Sequence, residues 1–106
     1  MIIVTNRIKM KKGFAEKMAP RFTKPGALQK MNGFVKVEVW ITQNLTEHDE
    51  VSVNMYWETM KGFTEWRNSD AFKESHSRPG NDGEESPMLG SEIIVSEVAS
   101  TLEAEK

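Results

Sequence analysis

Gly33-Phe34-Val35-Lys36-Val37-Glu38-Val39-Trp40-Ile41-Thr42, a polar run over residues 43–50, and then Val51-Ser52-Val53-Asn54-Met55-Tyr56-Trp57 form the stretch that decides the fold of this chain. Val35, Val37, Val39 and Ile41 fall on one side of an extended backbone, and Phe34, Lys36, Glu38 and Trp40 on the other. Val51, Val53, Met55 and Trp57 repeat the alternation. A period of two is the mark of a strand with one buried face. Two such runs joined by a short polar segment predict an antiparallel hairpin, strand 34–42 against strand 51–57.

Working outward, residues 2–10 alternate in the same way, with Ile2, Val4, Asn6, Ile8 and Met10 on one face. Lys11-Lys12-Gly13 ends that strand. Phe14, Met18 and Phe22 recur every four residues and predict an amphipathic helix over about 13–24, kinked or divided by Pro20 and stopped by Pro25-Gly26. Beyond the hairpin, Thr59 is a candidate N-cap for a short helix carrying Phe63 and Trp66. Asn68 or Ser69 is a candidate cap for another, with Phe72 and His76 one turn apart. Residues 77–90 are rich in Gly, Pro, Ser and acids and read as a long exposed loop, residues 93–98 as a last strand, and residues 100–106 as a frayed tail.

The order β-α-β-β-α-β specifies an α+β fold, the ferredoxin-like split β-α-β: a four-stranded antiparallel sheet with helices on one face. The other face is expected to carry Ile3, Phe34, Trp40, Tyr56 and either Ile94 or Val98. An apolar sheet face on a small domain needs a partner, so the expectation is a homodimer with two sheets packed face to face. The length, 106 residues, suits one domain over 1–106.

Composition narrows the chemistry. With 14 basic and 16 acidic residues the net charge is −2, which argues against a nucleic-acid binder. No apolar run reaches the roughly 20 residues a membrane helix needs, and no signal peptide is evident, so a cytoplasmic protein is expected. The absence of cysteine removes disulfides, iron–sulfur clusters, thiolate zinc and cysteine nucleophiles. There is no phosphate loop, dinucleotide fingerprint, HExxH or nucleophile elbow. The acidic loop Asn81-Asp82-Gly83-Glu84-Glu85 lacks the ligand spacing of a calcium loop.

Three residues stand out. Asn6 interrupts an apolar stripe between Val4 and Ile8, where an unpaired amide costs roughly 1–3 kcal/mol. Either it bonds a protein neighbour, or it is held in a dry pocket for a ligand such as dioxygen on iron. His76 is one of only two histidines and sits where a short helix meets the loop. It is either an iron ligand or a cation placed at a helix C-terminus. His48, in a polar hairpin, reads as solvated surface. Trp66 is either a core aromatic or a wall of the site. On an unbroken helix it would point roughly 80° away from His76, so the two converge only if the helix breaks near Asn68-Ser69.

Taken together, these residues resemble the IsdG family of haem-degrading monooxygenases. The resemblance runs along nearly the whole chain. It rests on Ile3-Val4-Thr5-Asn6-Arg7, Gly33-Phe34, Asp49-Glu50-Val51, Trp57-Glu58, and the pattern W-x-x-S-x-x-F-K-x-x-H at Trp66, Ser69, Phe72, Lys73 and His76. Ser86-Pro87-Met88-Leu89 matches as well.

The resemblance implies a dimeric α+β barrel with one haem per subunit in a cleft between helices and sheet. It implies a triad falling on Asn6, Trp66 and His76, with His76 the axial ligand of the haem iron. Asn6 would bond the oxygen ligand, and Trp66 would press the porphyrin out of plane. Phe22, Phe63 and Phe72, with Met18, are then candidate apolar walls, and Arg78 a partner for a propionate. Dioxygen and electrons from an external reductase are required, because the chain has no flavin or nicotinamide site. Two other functions stay open on the same fold: a cofactor-free oxygenase acting on quinols or polyketides, and a protein that binds haem without degrading it.

Overall fold

The structure, a computed structural model, describes residues 1–70 and 88–105. Four strands, β1 (Ile2–Met10), β2 (Phe34–Ile41), β3 (Asp49–Trp57) and β4 (Met88–Glu97), form one antiparallel sheet in the order β2-β3-β1-β4. Two helices, α1 (Ala15–Met18) and α2 (Met60–Arg67), complete the β-α-β-β-α-β order expected from the alternation.

The register sets the two faces. Val4 pairs with Met55 and Val95, Asn6 with Val53 and Ile93, and Ile8 with Val51 and Ser91, so these side chains share the helix-covered face. Two apolar clusters fill it. Val4, Trp57, Phe63 and Trp66 form one beneath α2, and Ile8, Met10, Ala15 and Val51 form the other beneath α1. Trp57, fully buried, is the pivot of the first: Phe34 and Phe63 meet its ring edge-on at 5.4 and 6.3 Å. Gly62 lets α2 approach so closely, because a Cβ there would lie 2.8 Å from the Asn32 carbonyl and 2.9 Å from the Trp57 ring.

Several local expectations are corrected. The helix expected over 13–24 is divided as Pro20 dictates, but more severely: after α1 the chain tightens into a 3-10 helix at Ala19–Thr23. A further 3-10 turn follows at Ala27–Lys30. The third strand starts at Asp49, two residues before the apolar run, since Asp49 and Glu50 still pair with Met10 and Lys9. The last strand starts at Met88, so residues 88–90 belong to β4 and not to the loop.

Phe34 changes sides. A register shift between Phe34 and Lys36 makes Val35 an extra residue, which turns Phe34 onto Trp57 and leaves Val35 41% exposed. Thr59 occupies the N-cap of α2 in extended backbone, but its side chain makes no capping bond. The second short helix, apart from its start, and the loop residues 77–87 lie outside the described residues.

The first-helix region is anchored from a distance. Asp49 Oδ2 accepts the backbone N–H of Gly13 at 2.9 Å and of Ala15 at 3.0 Å, supplying the cap that Phe14 cannot. These bonds, that from Ala15 foremost, and the nearby Lys12 ammonium hold the Asp49 carboxyl below its ordinary pKa.

On the opposite, helix-free face lie Ile3, Tyr56, Trp40 and Ile94 together with a polar network. Asn54, fully buried, accepts from Thr5 Oγ1 at 2.7 Å and donates to the Ser52 carbonyl at 3.2 Å. Glu38 accepts from Lys36, Tyr56 and Trp40 at 3.0, 2.8 and 3.3 Å. The Lys36 bond is the main reason its pKa is lowered. Burial, and then Glu38, raise that of Tyr56.

Candidate functional site

Between the helix-covered face of the sheet, α2 and the 3-10 segments lies a cleft of about 360 Å³. Its floor comes from adjacent strands: Val4 and Asn6 of β1, Val53 and Met55 of β3, Ile93 of β4. Phe63 and Trp66 of α2 form one wall, Phe22 and Leu28 the other, and Arg67 is the single charged group among the described lining residues. The lining is mostly apolar, as small-molecule sites with a few placed polar groups are.

Asn6 is the polar group of the floor. Strand alternation aims it at the helices, between Val53 and Ile93 on the neighbouring strands. Its Oδ1 is buried and has no hydrogen-bond partner. Buried amides are ordinarily satisfied, because an unmade bond costs about 1–3 kcal/mol. Of the two roles open to Asn6, the protein-bonded one is therefore not what this oxygen does. Trp57 Nε1 is also buried and unpartnered, but it sits in the core cluster and not among the cleft residues.

Trp66 combines its two possible roles: it is 8% exposed, packs with Val4, Trp57 and Phe63, and also lines the cleft. α2 ends at Arg67, and the Asn68 and Ser69 N–H groups fold back onto the carbonyls of Thr64 and Trp66, so the expected break is there. The Ser69 hydroxyl also donates backwards, to the Trp66 carbonyl at 2.6 Å. Phe22 and Phe63 are brought to the cleft as expected. Met18 is not; it packs onto the Ile8 cluster instead. His76, Phe72 and Arg78 lie outside the described residues.

Leu28, Val37, Val53, Met55, Ile93 and Arg67 also line the cleft, though no motif marks them as site residues. For Val53 and Ile93 a signal existed: once the strands are paired antiparallel, these residues flank Asn6 on its own face.

Residues 1–78 match the antibiotic biosynthesis monooxygenase family. The chain belongs to that family. The chain is 52% identical over 103 residues to a heme oxygenase (staphylobilin-producing) of Staphylococcus haemolyticus, spanning 96% of this chain and 99% of that one. It is 44% identical over 80 residues to a heme-degrading monooxygenase of Bacillus mycoides, across 76% of this chain and 75% of that one. In fold it is similar to the heme degrader MhuD of Mycobacterium tuberculosis, solved with two hemes in its active site. That likeness has a TM-score of 0.71 at 18% identity over 97% of this chain and all of that one. The IsdG-type resemblance, the monooxygenase class and the ferredoxin-like fold expected from the sequence are thus borne out.

Proposed function

We propose that this chain is a haem-degrading monooxygenase that takes haem as its substrate into the cleft above Asn6 and opens the porphyrin with dioxygen and external electrons, releasing iron. The observation that carries this is a mostly apolar cleft with the Asn6 amide on its floor, an amide whose Oδ1 no protein group engages. It is the arrangement a flat apolar ligand with a reactive polar centre calls for. The names of the relatives in Staphylococcus and Bacillus support the same reading.

In this account haem supplies the iron at which dioxygen reacts, and the protein supplies the rest. His76 is the axial ligand. Asn6 donates a hydrogen bond from its Nδ2–H to the oxygen ligand. Trp66, fixed by its packing on Val4 and Phe63, presents a rigid edge to the ring and distorts it. Phe22, Phe63 and Phe72 enclose the macrocycle, and Arg78 pairs with a propionate.

An external reductase donates the electrons. Residues 1–106 act as one domain. Two chains pair through their helix-free sheet faces, where Trp40 is 52% exposed and Ile94 36%, giving the homodimer. Among the described residues no helix is long and apolar enough to cross a membrane, in keeping with action in the cytoplasm.

A haemin titration followed by reduction with ascorbate in the presence of catalase tests the proposal. Saturable binding followed by loss of the Soret band supports it. Binding without turnover would make the chain a haem carrier, and no binding would move the cofactor-free oxygenase to first place.

A further inference from the structure

We propose that Arg67 is an anchor for the carboxylate edge of the ligand beside that assigned to Arg78, and so helps to fix how the substrate sits over Asn6. The proposal rests on the haem-degrading reading above and adds to it a second residue that recognises the anionic side of the molecule.

Among the described residues, every other one lining the cleft is apolar except Asn6, and Asn6 is neutral. Arg67 closes α2 directly after Trp66, at the helix end where a cation is favoured. Its guanidinium carbon lies 5.7 Å from the centre of the Phe63 ring, itself only 6% exposed and a cleft wall. Among the described residues no carboxylate is paired with it.

Among the described residues the site therefore has an apolar body, one neutral polar group on the floor, and one cation without a carboxylate partner at the side. Haem has a matching shape: an apolar disc with both carboxylates on one edge. Guanidinium and carboxylate form paired, charge-assisted hydrogen bonds, which give direction as well as affinity.

The test compares haemin with haemin dimethyl ester, which keeps the iron and the disc but has no carboxylate. Dissociation constants come from Soret titrations of wild type, Arg67→Leu, Arg67→Gln and Arg67→Lys, with far-UV circular dichroism as the fold check. We expect both neutral variants to bind haemin roughly tenfold more weakly. They should bind the ester like wild type, and Arg67→Lys should recover most of the haemin affinity. Unchanged haemin binding in both neutral variants overturns the proposal. So does an equal loss toward haemin and ester, which would mean that Arg67 only packs on Phe63. A wild type that binds neither porphyrin would instead refute the haem-degrading reading itself.

Discussion

Gly62→Ala is a one-methyl change whose cost follows from three distances. The new Cβ would stand 2.8 Å from the Asn32 carbonyl oxygen and 2.9 and 3.3 Å from Cε3 and Cζ3 of Trp57. Carbon contacts settle near 3.5–4.0 Å, so α2 or the indole must retreat by about half an ångström or more. The indole has nowhere to go: Trp57 is fully buried and held between Phe34 and Phe63.

Overpacking of this kind costs about 1–3 kcal/mol. Against it stands the gain of up to about 1 kcal/mol from replacing a helical glycine by alanine. The balance is roughly 1–2 kcal/mol of destabilisation, or about 5–15 °C in Tm for a domain of this size. Thermal unfolding at fixed protein concentration measures it, since the Tm of the proposed dimer would depend on concentration. Glu65→Ala, exposed on the same helix, should change Tm little. In a Trp57→Phe background Gly62→Ala should cost less, because the atoms it meets are gone. A Gly62→Ala protein as stable as wild type would refute the close-approach argument.

The bulge at Val35 predicts that Phe34→Ala costs about 2 kcal/mol, through loss of a half-buried ring from Trp57, whereas Val35→Ala costs under about 0.5 kcal/mol. Urea unfolding ranks them, and the reverse order would restore the simple alternation. Asp49 predicts a pH effect. Its folded pKa lies below the unfolded value, so its stabilisation is fully present above about pH 4 and is lost as pH falls through the folded value. Asp49→Asn should be less stable than wild type at pH 7, with the gap closing in the acid range; a gap independent of pH contradicts this.

Much of the fold was legible because burial on one face leaves a period of two in β1, β2 and β3, and because Pro20 and Pro25-Gly26 punctuate the segment between. The rest was not, for local reasons. A bulge adds a residue without a compositional mark, so Phe34 was placed on the wrong face. Met88-Leu89-Gly90-Ser91-Glu92 does not alternate, yet its backbone pairs with β1, and pairing needs only N–H and C=O groups. In the site, Asn6 was legible as a polar break in an apolar stripe, and Trp66 through its spacing to Ser69 and Phe72. Leu28 was not, since a single 3-10 turn brings it to the cleft, and Arg67 was masked by the ordinary look of a charge at a helix end.

The central claim is that the Asn6 amide is left uncommitted by the protein so that its Nδ2–H donates to the oxygen ligand of haem. Asn6→Val tests it, because it removes the unsatisfied group and suits a strand, so the variant should be at least as stable as wild type. Haemin is titrated into wild type, Asn6→Val and His76→Ala, and the Soret band is followed after ascorbate is added with catalase present. The account predicts saturable binding and bleaching by wild type, binding with at least about tenfold slower bleaching by Asn6→Val, and loss of the ligated Soret spectrum in His76→Ala. Bleaching at the wild-type rate in a folded Asn6→Val protein would contradict it.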